Sequence, residues 1–102
     1  MTDGLLKKFL PCSFTENAIA EIQETIQTKN IPLEYGLRVG IKGGGCSGIS
    51  YLIGFDIFKE GDDIFELEGI RVFIEKKHSM YLVNVSIDFE DGVNARGFVF
   101  NN

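Results

Sequence analysis

Two hydrophobic periods divide the chain. Ile19, Ile22 and Ile26 recur at i, i+3 and i+7 with Ala18 beside them, which turns one stripe of an α-helix toward a core. Thr15 is a good N-cap with Glu16 in the first turn. Ser13, with Glu16 three residues on, would make a capping box instead, and the sequence leaves the two open. Lys29 follows at the far end. Ile31-Pro32 stops the helix, because a residue before proline is pushed toward extended backbone. From Gly36 the period drops to two. Leu37, Val39 and Ile41 alternate with Arg38, Gly40 and Lys42; Tyr51, Ile53, Phe55 and Ile57 alternate with Ser50, Leu52, Gly54 and Asp56. These are two half-buried strands around a glycine-rich loop.

Further on, Lys59-Glu60-Gly61-Asp62-Asp63 is a turn. Ile64 to Leu67 and Ile70 to Ile74 flank Glu68-Gly69, a tight hairpin. Lys76 to Val83 is ambiguous; as a short helix it would carry Met80, Tyr81 and Leu82 inward. Val85, Ile87 and Phe89 alternate with Ser86, Asp88 and Glu90, Asp91-Gly92 is a turn signal, and Phe98 to Phe100 is a last apolar run. The expected class is mainly β with one N-terminal α-helix (α+β). The expected organisation is a lead-in over residues 1–13 and a single domain over 14–102.

Composition sharpens this picture. The 102 residues are 44% hydrophobic and 25% charged, which suits one packed globular domain. The net charge of -5 argues against wrapping a nucleic-acid backbone and against docking on anionic membranes. No apolar run approaches the roughly 20 residues of a spanning helix, and the first residues lack the apolar stretch of a secretory signal. The expected location is the cytoplasm. The two cysteines, Cys12 and Cys46, are therefore expected to be reduced rather than bridged.

The loop Gly43-Gly44-Gly45-Cys46-Ser47-Gly48 admits several chemistries. A phosphate cradle needs a following helix N-terminus and a Gly-Lys-Ser/Thr sequence; this loop runs strand to strand and has neither. A nucleophilic thiol needs a base, and the single histidine, His78, sits in a Lys-Lys-His-Ser stretch that reads as a solvated helix start. Soft-metal binding suits a thiolate, and glycines beside it leave room for an inorganic core and free N–H groups to bond its sulfides. An iron–sulfur cluster normally takes four thiolates, however, and the chain offers one convincing candidate. A wide hairpin loop with an incidental cysteine is the remaining reading. The residues alone leave these open.

GLRVGIKGGGCSGISYLIGFD, IFELEGIRVFIEKKHSMYL and IDFEDGVNARGFVFNN closely resemble the HesB/IscA family of A-type iron–sulfur cluster carriers, from about Phe14 to Asn102. The resemblance implies a mixed sheet folded on itself into a pseudo-barrel, with the helix packed outside. It implies a protein that is not an enzyme. Such a protein accepts iron or a nascent cluster, [2Fe–2S] first and [4Fe–4S] second, from a cluster-donor scaffold and passes it to apo-proteins. A homodimer or homotetramer would hold the cluster at a subunit interface. Cys46 falls on the first of the family's three ligand cysteines, with Gly43, Gly44, Gly45, Ser47 and Gly48 shaping its pocket. The other two ligands lie in a C-terminal Cys-Gly-Cys that this sequence does not contain. The expectation is a chain trimmed of that tail, which would not retain a cluster firmly; a natural degenerate member is the alternative. Tyr51 matches the family's aromatic and reads first as core packing, second as an iron neighbour. Glu90 and Asp91 read as a solvated acidic turn before hard ligands for mononuclear iron, and Cys12 would be a ligand only by swinging in from a neighbouring subunit. The rival functions are a metal-free adaptor on the same fold and a mononuclear iron or zinc delivery protein.

Overall fold

The computed structural model describes residues 9–43, 48–93 and 95–102. The chain opens with β1 (Ser13–Phe14) and helix α1 (Glu16–Thr28), followed by β2 (Tyr35–Gly43), β3 (Ile49–Ile57), β4 (Asp62–Leu67) and β5 (Ile70–Glu75). A 3-10 turn, Lys76–His78, leads into the short α2 (Ser79–Leu82), and β6 (Ser86–Asp91) and β7 (Arg96–Asn101) complete the chain. No described helix is long and apolar enough to cross a membrane.

Thr15 is the N-cap. Its side-chain oxygen accepts from the Ala18 N–H at 3.2 Å, and its hydroxyl donates to Asp88 Oδ1 at 2.6 Å. The cap thus fixes the helix start and ties it to β6. Ser13, the other cap candidate, is drawn into β1, where it pairs in parallel with Ser86. On the inner side of α1, Ala18 and Ile22 are fully buried, and Ile26 packs partly buried against the same core.

The strands form mainly β architecture in two mixed sheets, ordered β1-β6-β7 and β3-β2-β5-β4. β2 and β3 pair antiparallel over their whole length, from Tyr35↔Ile57 to Gly43↔Ile49. β2 pairs with β5 in parallel at Leu37↔Val72 and Arg38↔Phe73. β4 and β5 form the hairpin expected at Glu68-Gly69, where both turn residues have positive φ (49° and 85°). That is the signature of a two-residue turn whose twist matches the flanking strands. The described strands do not close into a barrel. The pseudo-barrel expectation resolves into two open sheets, joined by contacts such as Tyr51 stacked on Phe100 at 4.9 Å.

Alternation gives the four-stranded sheet two faces. Leu37, Val39, Val72 and Ile74 turn inward, onto a core completed by Ile22, Leu82, Val85 and Ile87. The opposite face carries a second packed centre. Phe73 is fully buried there. Its ring lies where a Cβ on Gly36 would meet it at 2.7 Å. The guanidinium carbons of Arg38 and Arg71 stand 5.9 and 5.7 Å from the ring centroid, and Phe58 meets it edge-on at 5.9 Å. Arg38 donates from Nη1 and Nη2 to both oxygens of Asp62, at 2.9 and 2.6 Å, from Nε to Asp56 at 2.8 Å and from Nη2 to the Ile57 carbonyl at 2.9 Å. The Asp62 side chain is 0% exposed.

One inward assignment is overturned. Of Met80, Tyr81 and Leu82, only Leu82 is buried; Met80 is 74% and Tyr81 47% exposed. The helix is a single turn, so it can offer the core one position rather than a stripe.

Candidate functional site: the hairpin that carries Cys46

Among the described residues the β2–β3 hairpin is the longest paired unit, and it ends at Gly43 and Ile49, on either side of the glycine-rich connection. Gly43 and Gly48, at the two ends of that loop, have φ of 87° and 82°. Only glycine takes this left-handed backbone without a steric penalty. The two glycines therefore have a conformational reason to be there. Gly44, Gly45, Cys46 and Ser47 lie outside the described residues, so the candidate ligand is placed by connectivity: it belongs to the connection between the paired ends of β2 and β3.

The other candidates go to different places. Tyr51 stands opposite Ile41 in the hairpin register and stacks on Phe100 with an interplanar angle of 7°, which puts its ring between the two sheets. Asp91 is an ion-pair partner of Arg96 (3.3 Å), whose guanidinium also reaches Glu21 of α1 (3.1 Å). Glu90 sits exposed beside it, opposite Gly97 in the β6–β7 ladder. Among the described residues no group of three or more His, Cys, Asp and Glu could hold a metal ion.

Cys12 is not a swinging ligand. It is a free thiol buried in the core, and its flanks are stitched down: Ser13 N–H donates to the Val85 carbonyl at 2.9 Å and Asn84 N–H to the Pro11 carbonyl at 3.3 Å. Burial pushes the thiol pKa up to about 11, against a smaller opposing effect of a backbone hydrogen bond. The thiolate is the reactive form, so Cys12 is expected to resist iodoacetamide at pH 8 in the folded protein and to react once urea unfolds it. Peptide mapping by mass spectrometry reads this directly, and rapid native labelling of Cys12 would contradict its placement.

His78 also departs from expectation. It is not a solvated surface group: its side chain is 18% exposed, and its Nδ1 lies 2.8 Å from where a Gly40 Cβ would stand. The sequence signal for this contact was a glycine in mid-strand, which often marks close approach of another group.

An apolar pocket of about 190 Å³ lies at the other end of β2, lined by Ile26, Ile31, Leu33, Gly36 and Ile70 among others. Among the described residues of its wall the one charged group is Arg71, whose Nη2 donates to the carbonyls of Leu33 and Tyr35. It offers no paired acid and base.

The described residues define a two-sheet α+β domain whose β2–β3 hairpin is bounded by Gly43 and Gly48 at the connection that carries Cys46 in the sequence. The chain belongs to the iron–sulphur cluster biosynthesis family, which it matches over residues 12–102. It is 38% identical over 93 residues to the iron–sulfur cluster insertion protein ErpA of Marinobacter nauticus, covering 90% of this chain and 84% of that one. It is 37% identical over 92 residues to the iron-binding protein IscA of Photorhabdus laumondii, covering 88% and 83%. Its fold superposes on the solution structure of an Aquifex aeolicus protein with a TM-score of 0.69 at 34% identity, covering 94% of each chain.

Proposed function

We propose that this protein is a carrier. It takes iron or a nascent iron–sulfur cluster as cargo on the Cys46 thiolate and passes it to apo-proteins. What supports the reading is the hairpin: the strands are registered along their full length, and the sequence that connects them carries Cys46 between Gly43 and Gly48. Family membership supplies the cargo class. Transfer is ligand exchange, in which a target thiolate replaces the carrier thiolate. Such a step needs no general acid or base, and the protein is not an enzyme on this reading.

One Cys46 per chain gives a homodimer two thiolates, half of the roughly four that a cluster takes. Both [2Fe–2S] and [4Fe–4S] take roughly four thiolates, so small thiols or water would fill the remaining positions on either; [2Fe–2S] is the first expectation and [4Fe–4S] the second. An under-coordinated cluster suits a donor that must let go. Gly43, Gly44, Gly45, Ser47 and Gly48 supply room and N–H groups around it. The partners are a cluster-donor scaffold and apo iron–sulfur proteins, and the compartment is the cytoplasm.

Anaerobic reconstitution with iron and sulfide tests the proposal. The protein is expected to develop charge-transfer absorption with matching acid-labile sulfide, and Cys46→Ser to lose both. Undiminished cluster in Cys46→Ser would overturn it. Bound metal without labile sulfide would replace it with mononuclear delivery.

A further inference from the structure

Leu33 is 92% exposed at a tight turn, in which the Tyr35 N–H donates to the Pro32 carbonyl at 3.0 Å. Turns favour glycine, proline, asparagine, aspartate and serine, each for a backbone reason; leucine serves none of these. The turn is nevertheless held firmly. Arg71 Nη2 donates to the Leu33 carbonyl and, at 3.4 Å, to that of Tyr35. A single exposed apolar side chain needs no explanation, but Leu33 has company. Tyr35 and Ile57, directly opposite each other in the β2–β3 register, are 38% and 47% exposed. Leu33 and Tyr35 also line the pocket of about 190 Å³, whose apolar wall includes Ile26, Ile31, Phe55 and Ile70. A knob and a hole therefore lie on one patch. The charges divide in the same way. Glu34 follows the knob, and Arg71 stands in the wall of the hole. Arg71 bonds the backbone on both sides of Glu34, yet among the described residues no ion pair engages either side chain.

We propose that this patch is a two-fold interface between two copies of the chain. Leu33 of each copy fills the pocket of the other, and Glu34 beside it meets the partner's Arg71. A two-fold interface uses the same surface on both sides, so that surface must complement itself. This one carries the apolar anchor and its pocket, and the acid and its base. An unrelated partner would have to supply an apolar side chain with an acid next to it; a second copy already does. The pinned turn lowers the cost of ordering the anchor on binding. The contact lies at the Tyr35 end of β2, whereas the connection that carries Cys46 leaves from the Gly43 end. The pair therefore forms without cargo and goes beyond the carrier reading.

Sedimentation equilibrium on the metal-free protein tests this, run in parallel on Cys46→Ser so that neither cargo nor a thiol bridge contributes. Both are expected to show the same concentration-dependent dimer. Leu33→Ala is expected to raise the dissociation constant about tenfold or more, as truncating a pocket-seated anchor does, and to leave the fold intact because the side chain is exposed. Glu34→Lys separates this contact from general association. It makes an acidic chain, net charge -5, less acidic, so repulsion between copies falls and a non-specific dimer would tighten. The proposed contact instead sets lysine against the partner's Arg71 and should weaken about tenfold. NMR dilution shifts are expected at residues 33–37 and 69–71 and not at Gly43 or Ile49. A chain that stays monomeric up to about 1 mM, a dimer lost in Cys46→Ser, dilution shifts centred on Gly43 and Ile49, or a dimer that Leu33→Ala leaves unchanged or Glu34→Lys tightens overturns the proposal. So does a monomer whose pocket resonances shift with octanoate, which would give the pocket to a small amphipathic acid.

Discussion

Arg38→Ala is expected to cost about 3–5 kcal/mol, the range for removing one partner of a buried ion pair. Native domains of this size hold only about 5–15 kcal/mol in total, so the variant should be largely unfolded on mild warming. The reason is the partner left behind. The Asp62 side chain is 0% exposed, and its carboxylate accepts from Arg38 twice and from the Lys59 N–H at 2.8 Å. Urea denaturation followed by circular dichroism reads the loss as a lowered midpoint. Arg38→Lys should recover only part, because an ammonium cannot bond both carboxylate oxygens in the planar fork. A change below about 1 kcal/mol, the value of an exposed pair, would show that the network is not closed to water.

The same network sets an acid limit. Hydrogen bonding from Arg38, acting against desolvation, holds the Asp62 carboxyl below its ordinary value. Asp56 is lowered too, first by the Ile57 N–H and then by Arg38. A carboxyl depressed in the folded state contributes stability above its unfolded pKa, near 3.9, and loses it as pH falls through the folded value. The parent is therefore expected to weaken in acid below about pH 4. The gap between parent and Arg38→Ala should be widest at neutral pH and narrow in acid, where a protonated Asp62 no longer misses its counter-charge.

Phe73→Ala is the second large loss, again about 3–5 kcal/mol. Phe73 is fully buried although it lies on the face away from the main core, and Gly36, Arg38, Arg71 and Phe58 box its ring. Backbone lies on one side, so the cavity cannot collapse. The Arg71 carbonyl stands 3.0 Å from the Gly36 Cβ position. Because Arg38 touches the same ring, the losses from Phe73→Ala and Arg38→Ala should not add. A double-mutant cycle by urea denaturation measures the coupling, and strict additivity would mean that the ring and the ion-pair network are independent.

Much of this architecture is legible in the residues. The switch from period 3.6 to period 2 near Gly36 separates α1 from the sheets. Alternation assigns Leu37 and Val39 to the core and Arg38 and Gly40 to the other face, and Glu68-Gly69 marks its hairpin. What was not legible depends on contacts distant in sequence. Nothing local says that Ser13 joins a strand and so leaves the cap to Thr15. The Lys-Lys-His-Ser stretch looks solvated until β5 ends and the turn folds His78 over Gly40. Phe73 lies in the run Ile70 to Ile74, and nothing local says that its cover comes from Gly36 and Phe58 on other segments. At the site, Cys46 is named by its motif and the hairpin by its alternation. Cys12 reads as lead-in because its burial is made by the chain that follows Leu82.

The fit of a ring over a strand glycine binds two distant positions into a single heritable unit. A side chain at residue 36 would force the ring at residue 73 to shift. Shrinking residue 73 first opens a void that selection sees at once. The partners at 40 and 78 are under a looser bond, since an imidazole with one exposed edge can swing aside for a new methyl group. Descendants of this fold should therefore keep the glycine–aromatic pair at 36 and 73 long after the pair at 40 and 78 has turned over, including descendants in which the cysteine itself has gone.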